Sequence, residues 1–484
     1  MMRRFLLAAV SLGVVLPGLA RCEETQLRQQ AALALRKATD FFTKEVATEG
    51  GYLWRYSEDL ARREGEGKAS ETTVWVQPPG TPSVGLAFLG AYHNTGDPHY
   101  LEAARKAGSC LVRGQLQSGG WDYRISFAPE ERKRYAYRAD AGLEGPHDRN
   151  TSTLDDDVTQ AALRLLMQLD KTLDFKDEKI HEAAQYGLDR LLAVQYPIGA
   201  WAQRFAAPPD PEKFPVKKAS YPESWSRTYP KTGYSAFYTF NDNAISDVID
   251  VAFLAWKTYG DERYRAAAER AADFILLAQM PEPQPAWAQQ YDADMHPAWA
   301  RKFEPPSITG GESQGVMRTL LQLYRETGDQ KYIEPIPRAI AYFRRSQLPD
   351  GQLARFYELK TNTPLYFTKQ YEVTYSDADV PTHYAFKVGN GMDSIEREYQ
   401  RLAKLDPAEL ARAREPSKSR RKASPSEIAR VEAVVDALDD RGRWVEGGGL
   451  SYHGDDDPTR RVIDCRTFIT NIGILSSYLA TVAE

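Results

Sequence analysis

Cysteine is scarce, with three in 484 residues, and Cys22 sits at the edge of an expected leader, which leaves Cys110 and Cys465. Two distant cysteines can pair in an oxidising compartment, but both lie in apolar helical patterns that suit small buried hydrophobes, and no thiol metal cluster is expected. Beyond the N-terminus no stretch approaches the ~20 apolar residues that cross a bilayer, so no membrane span is expected. Charge of one sign is missing too. A formal net charge of −5 with both signs interspersed argues against a nucleic-acid partner.

What the chain does have begins with a leader-like segment. Arg3 and Arg4, an apolar run Phe5–Leu16 and small residues near Gly18 and Ala20 read as a signal peptide over residues 1–22. Arg21 in front of Cys22 spoils a lipid-attachment signal. A released monomer, secreted or periplasmic, is therefore expected, with residues 23–484 forming one domain that carries a charged excursion around 406–430.

The domain is repetitive. Gly96-Asp97-Pro-His-Tyr100 is followed by Ala103, Ala107, Leu111 and Gln115, offsets of +3, +7, +11 and +15 from the tyrosine that mark one helix face, and then by Gly119-Gly120-Trp121. The frame recurs from Gly260-Asp261 through Tyr264 to Gln279, and from Gly328-Asp329 through Tyr332 to Gln347. A weaker copy runs from Ile180 through Gln195 to Trp201. More apolar stretches precede the cassettes (Val84–Tyr92, Asp156–Leu169, Asn243–Tyr259, Gln314–Tyr324), and Thr467–Ala480 closes the chain. Alternating apolar inner and polar-faced outer helices predict an all-α, α/α toroid (an incomplete α/α barrel) with short β pieces in its loops. Every connection from an outer to the next inner helix then opens at one mouth.

That topology gathers particular side chains. The mouth collects the acidic string Asp155-Asp156-Asp157, Asn241-Asp242-Asn243 and Glu312 from the starts of inner helices, and Arg301, Arg355 and several tryptophans from the loops. The plain reading of the acidic string is a helix N-cap. The sharper one is a cleft that meets a cation.

Several strings resemble the family-10 pectate lyases: Thr153-Leu-Asp155-Asp156-Asp157-Val-Thr159, Asn241-Asp242-Asn243, Pro297-Ala-Trp-Ala-Arg301-Lys-Phe-Glu304-Pro-Pro-Ser307, Gly351-Gln-Leu-Ala-Arg355-Phe-Tyr357-Glu358 and Thr361-Asn362-Thr-Pro364. The resemblance implies an incomplete toroid that cleaves polygalacturonate or a related uronate polymer by calcium-assisted β-elimination. It implies metal contacts at Asp155 and Asp242, and substrate contacts at Arg301, Arg355, Asp156, Asn243 and Tyr357. Three departures stand out, the first being Asp156, an acid where the family usually has an asparagine. The general-base arginine expected about 14 residues after Arg355 is replaced within Thr368-Lys369-Gln370, making Lys369 the candidate base, and a Gly-Trp-Pro string reads Gly199-Ala200-Trp201-Ala202.

The chemistry explains the residue types. A cation and guanidinium groups on the uronate carboxylate stabilise the charge that develops as the neighbouring carbon loses its proton, and Ca2+ takes six to eight hard oxygen ligands. Lysine serves as a base if burial or nearby cations depress it. Three rivals share the architecture: an inverting glycoside hydrolase, a glycan-binding homologue without turnover, and a terpene-cyclase-like toroid, the last at odds with the leader and the arginine-rich loops.

Overall fold

The computed structural model describes residues 17–231, 233–412 and 421–482. Arg3, Arg4 and the apolar run of the leader lie outside them, as do Lys418 and Arg420 of the charged excursion. The helices are α1 Pro17–Phe41, α2 Thr81–Thr95, α3 Pro98–Arg113, the single turn α4 Pro129–Arg132, α5 Val158–Thr172, α6 Glu178–Ala193, α7 Ala244–Tyr259 and α8 Glu262–Leu277. They continue with α9 Gly310–Thr327, α10 Ile336–Arg345, α11 Met392–Leu402, the short α12 Pro407–Arg412, α13 Pro425–Asp436 and α14 Cys465–Leu479.

The cassette's residues have visible jobs. Gly96, Gly260 and Gly328 end inner helices α2, α7 and α9 in the left-handed region (φ 74°, 72° and 79°), where a Cβ is unfavourable. The adjacent aspartates restart the chain: Asp97, Asp261 and Asp329 each accept a hydrogen bond from the backbone two residues on. Tyr100, Tyr264 and Tyr332 are buried between the layers.

The glutamine closes each unit. Gln115 Nε2 donates to Gly119 O and to Ala183 O of the next outer helix, both at 2.9 Å. Gln195 repeats this to Gly199 O and Ala267 O at 2.9 Å, and Gln279 to Pro285 O and Pro335 O at 2.9 and 3.2 Å. Their carbonyl oxygens take Arg138, Arg270 and Arg338. Trp121, Trp201 and Trp287 are buried and donate their indole N–H to Leu111 O, Leu191 O and Ile275 O, each at 2.9 Å. These amides and indoles are thus satisfied inside the wall.

Inner helices α14, α2, α5, α7 and α9 lie side by side, with α1, α3, α6, α8 and α10 behind them. The core fills the space between, and α5 presents Leu165, Leu166 and Leu169, all fully buried. Truncation of any one to alanine costs about 2–5 kcal/mol. The fold is the α/α toroid that the periodicity predicts, built among the described residues from five such pairs, one of them formed by α1 and α14. There the strand Arg55–Ser57 that follows α1 pairs antiparallel with Arg461–Asp464 ahead of α14. Corresponding ribbons join 73–75 to 124–126, 152–153 to 204–205, 238–239 to 290–291 and 307–309 to 356–358. All the outer-to-inner connections therefore share one end. Cys110 and Cys465 are buried free thiols, and no described helix is long and apolar enough to cross a membrane.

Candidate active site

Each helix pair presents the same junction at this end. The N–H ahead of the inner helix donates to a carbonyl beyond the outer one: Val76 to Tyr123 (2.8 Å), Leu154 to Gln203 (2.8 Å), Phe240 to Gln289 (2.7 Å), Gly310 to Arg355 (2.9 Å) and Cys465 to Trp54 (2.9 Å). This register makes Asp155 the counterpart of Asn241 and Gln77, and Asp156 the counterpart of Asp242 and Glu312. The acidic groups of two repeats, Asp155 and Asp156 with Asp242, thereby meet at one edge, with Glu312 of a third nearby.

Two of the junctions share a further device. Asp156 and Asp157 (φ 49° and 61°) and Asp242 and Asn243 (φ 47° and 57°) are consecutive left-handed residues, a conformation that Asp and Asn tolerate best after glycine. Thr153 and Thr239 brace the turns, their hydroxyls accepting from Asp155 N at 3.1 Å and Asn241 N at 3.0 Å. The strings are therefore not simple side-chain caps. Neither Asp157 nor Asn243, at the cap positions of α5 and α7, makes a side-chain capping bond. Asp157 pairs instead with Arg164 at 2.6 Å, and Asn243 is exposed.

The result is a cluster of Asp155, Asp156 and Asp242, each of which places one carboxylate oxygen within 4.8 Å of those of the other two. Tyr123 donates its hydroxyl to Asp155 Oδ2 at 2.6 Å, while Asp155 Oδ1 is buried with no hydrogen-bond partner. Gln77, oriented by the Trp75 indole N–H at 2.9 Å, donates to Asp156 Oδ2 at 2.9 Å. Desolvation, then the charges of Asp155 and Glu66, push Asp156 up to about 6. Asp242 is raised as well, first by desolvation and then by Asp155 and Asp156. Its side chain stays open to solvent, so this is the desolvation of a cleft rather than of a core. Arg301 opposes both shifts without cancelling them. Crowded hard oxygens, one of them buried and unpaired, fit a divalent cation such as Ca2+.

The arginines facing this edge are held differently. Arg301 forks onto Glu304 through Nε at 2.9 Å and Nη2 at 2.5 Å, and its backbone N–H adds a bond of 3.0 Å. Burial pushes Glu304 up, yet the hydrogen bonds and charge of Arg301 outweigh it and leave the group below the usual range. Arg355 donates to Glu312 Oε1 at 3.1 Å and to Ala385 O at 2.6 Å. Glu312 ends up raised by burial, which Arg355 offsets only in part. Tyr384 stands between the two guanidiniums, 5.7 Å from Arg301 and 4.7 Å from Arg355 at its ring centroid, and donates to Glu304 at 3.0 Å.

Two expected site residues are elsewhere. Tyr357 is buried in the core, its hydroxyl accepting from Ala354 N at 2.9 Å and donating to Ser346 O at 2.8 Å. The bend at Arg355 between strands 353–354 and 356–358 breaks the alternation that would put Arg355 and Tyr357 on one face, and Tyr357 enters the core, which corrects its assignment to substrate binding. Lys369 sits on the hairpin between strands 364–367 and 373–374, 60% exposed, its ammonium 3.3 Å from Asp379. The burial its role as a base calls for is missing. Tyr123, Gln77, Glu304 and Tyr384 were not singled out from the sequence. Tyr123 had a signal, its place two residues beyond the cassette tryptophan; Gln77 and Tyr384 had none. A groove of 890 Å³ lined by Glu49, Arg105 and Lys179 lies on the outer wall and holds none of these groups.

Fold and cleft together define an α/α toroid with an acidic metal-type cluster facing buttressed arginines. Comparison with known proteins adds a likeness: residues 130–352 match the family described as pectic acid lyase. Among solved structures the chain is similar to the family 10 polysaccharide lyase from Cellvibrio cellulosa, at 22% identity and a TM-score of 0.45 over 62% of this chain and 92% of that one. A mutant of a Cellvibrio cellulosa family 10 lyase in complex with trigalacturonic acid matches at 21% identity and a TM-score of 0.44, over 61% and 92%. A D-mannose isomerase matches at 14% identity and a TM-score of 0.44, over 96% and 99%. No curated protein matches the chain.

Proposed function

We propose that this protein is a polysaccharide lyase that cleaves polygalacturonate, or a closely related uronate polymer, by calcium-assisted β-elimination. The observation that carries the reading is the juxtaposition of three carboxylates within 4.8 Å with two arginines preset on Glu304 and Glu312. Asp155, Asp156 and Asp242 would hold Ca2+, which when bound neutralises the uronate carboxylate and stabilises the charge formed on proton loss.

The chain's own residues bind and orient the substrate around that site. Arg301 and Arg355 bind uronate carboxylates through N–H groups not used on their glutamates, and planar guanidiniums suit that partner. Because Glu304 and Glu312 fix them beforehand, little side-chain freedom is lost on binding. Tyr123 and Gln77 hold the carboxylates of Asp155 and Asp156 in orientation, as groups behind a metal's ligands do. Ligand oxygens of three carboxylates within 4.8 Å are closer than the ~6.5–9.5 Å of an inverting hydrolase pair, which argues against that rival. The position of Lys369 favours a second reading, uronate binding without turnover.

One experiment decides. Purified protein incubated with polygalacturonate should generate ultraviolet-absorbing unsaturated product, and a chelator should abolish it. Reducing ends without unsaturation would establish hydrolysis, and binding with neither would establish the second reading. The proposed location outside the cytoplasm rests on residues 1–22, and N-terminal sequencing of the mature protein tests it.

A further inference from the structure

One aromatic layer, with Trp299, Phe303, Phe356, Phe367 and Phe386 at its centre, supports the cleft arginines at one end. Its other end carries an arrangement the cleft does not use. Glu358 lies three residues along the chain from Arg355, at most on the order of 10 Å away between Cα atoms, and is only 4% exposed. Its carboxylate accepts from Thr361 Oγ1 at 2.5 Å, from Tyr375 Oη at 2.9 Å and from Arg227. The Arg227 guanidinium is 5.7 Å from the Trp225 ring centroid and 5.3 Å from that of Tyr375. Trp299 pins this loop through a bond of 2.9 Å from its indole N–H to Ser226 O.

A buried carboxylate needs only a cation and a donor or two to be satisfied. Here those partners are surface groups: Arg227 is 54% and Tyr375 47% exposed. A guanidinium held between two rings offers N–H groups to a carboxylate, and the rings offer faces to sugar C–H groups. Glu358 fixes the direction of both.

We propose that Trp225, Arg227 and Tyr375 form a distal subsite for a uronate ring of the polymer whose scissile region occupies the cleft. This rests on the uronate-polymer reading above and adds that long chains are gripped at two separated places. The test compares the parent with Arg227→Ala and Tyr375→Ala. The second variant leaves Arg227 and Thr361 on Glu358, so it retains the buried carboxylate's main partners should the first fold poorly. Calorimetry with polygalacturonate and with trigalacturonate is expected to show a loss of at least about fivefold for the polymer in both variants and no change for the trisaccharide.

Equal polymer affinity in parent and variants would overturn the subsite while leaving the functional reading intact. An equal loss for polymer and trisaccharide would also overturn it, since the patch would then act through the cleft. A parent that binds no uronate polymer would overturn both.

Discussion

The acidic edge and the arginine wall of the cleft are built on opposite rules. At the edge, like charges from two repeats are crowded together and one buried oxygen has no partner. At the wall, each guanidinium is given a largely buried glutamate of its own. Unbalanced charge suits the proposed entry of an ion; balanced charge suits a group whose direction matters more than its strength. The wall is finished before any ligand arrives, and the edge is not.

The largest effect should come from the unfinished side. Asp155→Asn or Asp242→Asn should lower turnover by on the order of 10²-fold or more, the scale of removing one preorganised electrostatic group, measured as unsaturated product at saturating Ca2+. Calcium at about 100 times its dissociation constant should stabilise the parent by about 2.7 kcal/mol. Asp156→Asn should melt higher than the parent in chelator, because repulsion is relieved, and gain less on adding the ion. A variant that melts lower in chelator would break the contrast.

Smaller effects belong to the finished side. Glu304→Gln should cost about 1–3 kcal/mol of stability and raise KM more than it lowers kcat, since Arg301 keeps its charge but loses its direction. Asp247 gives a pH-dependent counterpart behind the edge. Burial first and Asp157 next push it up to about 7, with Arg164 opposing. Its folded value exceeds the unfolded one near ~3.9, so the folded protein holds more protons in that window and stability falls as pH rises from about 4 through 7. Asp247→Asn should therefore raise Tm at pH ~8 by more than at pH ~5. Least of all, Lys369→Ala should change stability by no more than about 0.5 kcal/mol, as for an exposed residue, and leave turnover nearly unaltered.

Much of the fold was legible because its pattern is local. Glycine, aspartate and tyrosine at fixed offsets each serve one helix pair, and glutamine serves that pair and its successor at the same offset, so spacing alone exposes them. The acidic edge was legible as well, because consecutive carboxylates are costly without a reason. Strings read as units misled. In Arg-Phe-Tyr-Glu, the bend at Arg355 lets Tyr357 enter the core, and alternation from there sends Glu358 to the aromatic layer. Counting forward from Arg355 reaches Lys369, but the hairpin carries that lysine to a surface carboxylate. Gln77 and Tyr384 could not be found, since their roles depend on contacts across ~79 residues (to Asp156) and ~80 residues (to Glu304) of chain that no spacing encodes.

The glutamine bonds that run from one outer helix to the next also bear on how this protein comes apart. Because Gln115, Gln195 and Gln279 each fasten a unit to its successor, they work as three links in a row along the outer wall. Loosening one link slackens the wall on both sides, so heating should melt the linked units in a single transition rather than peel them one by one.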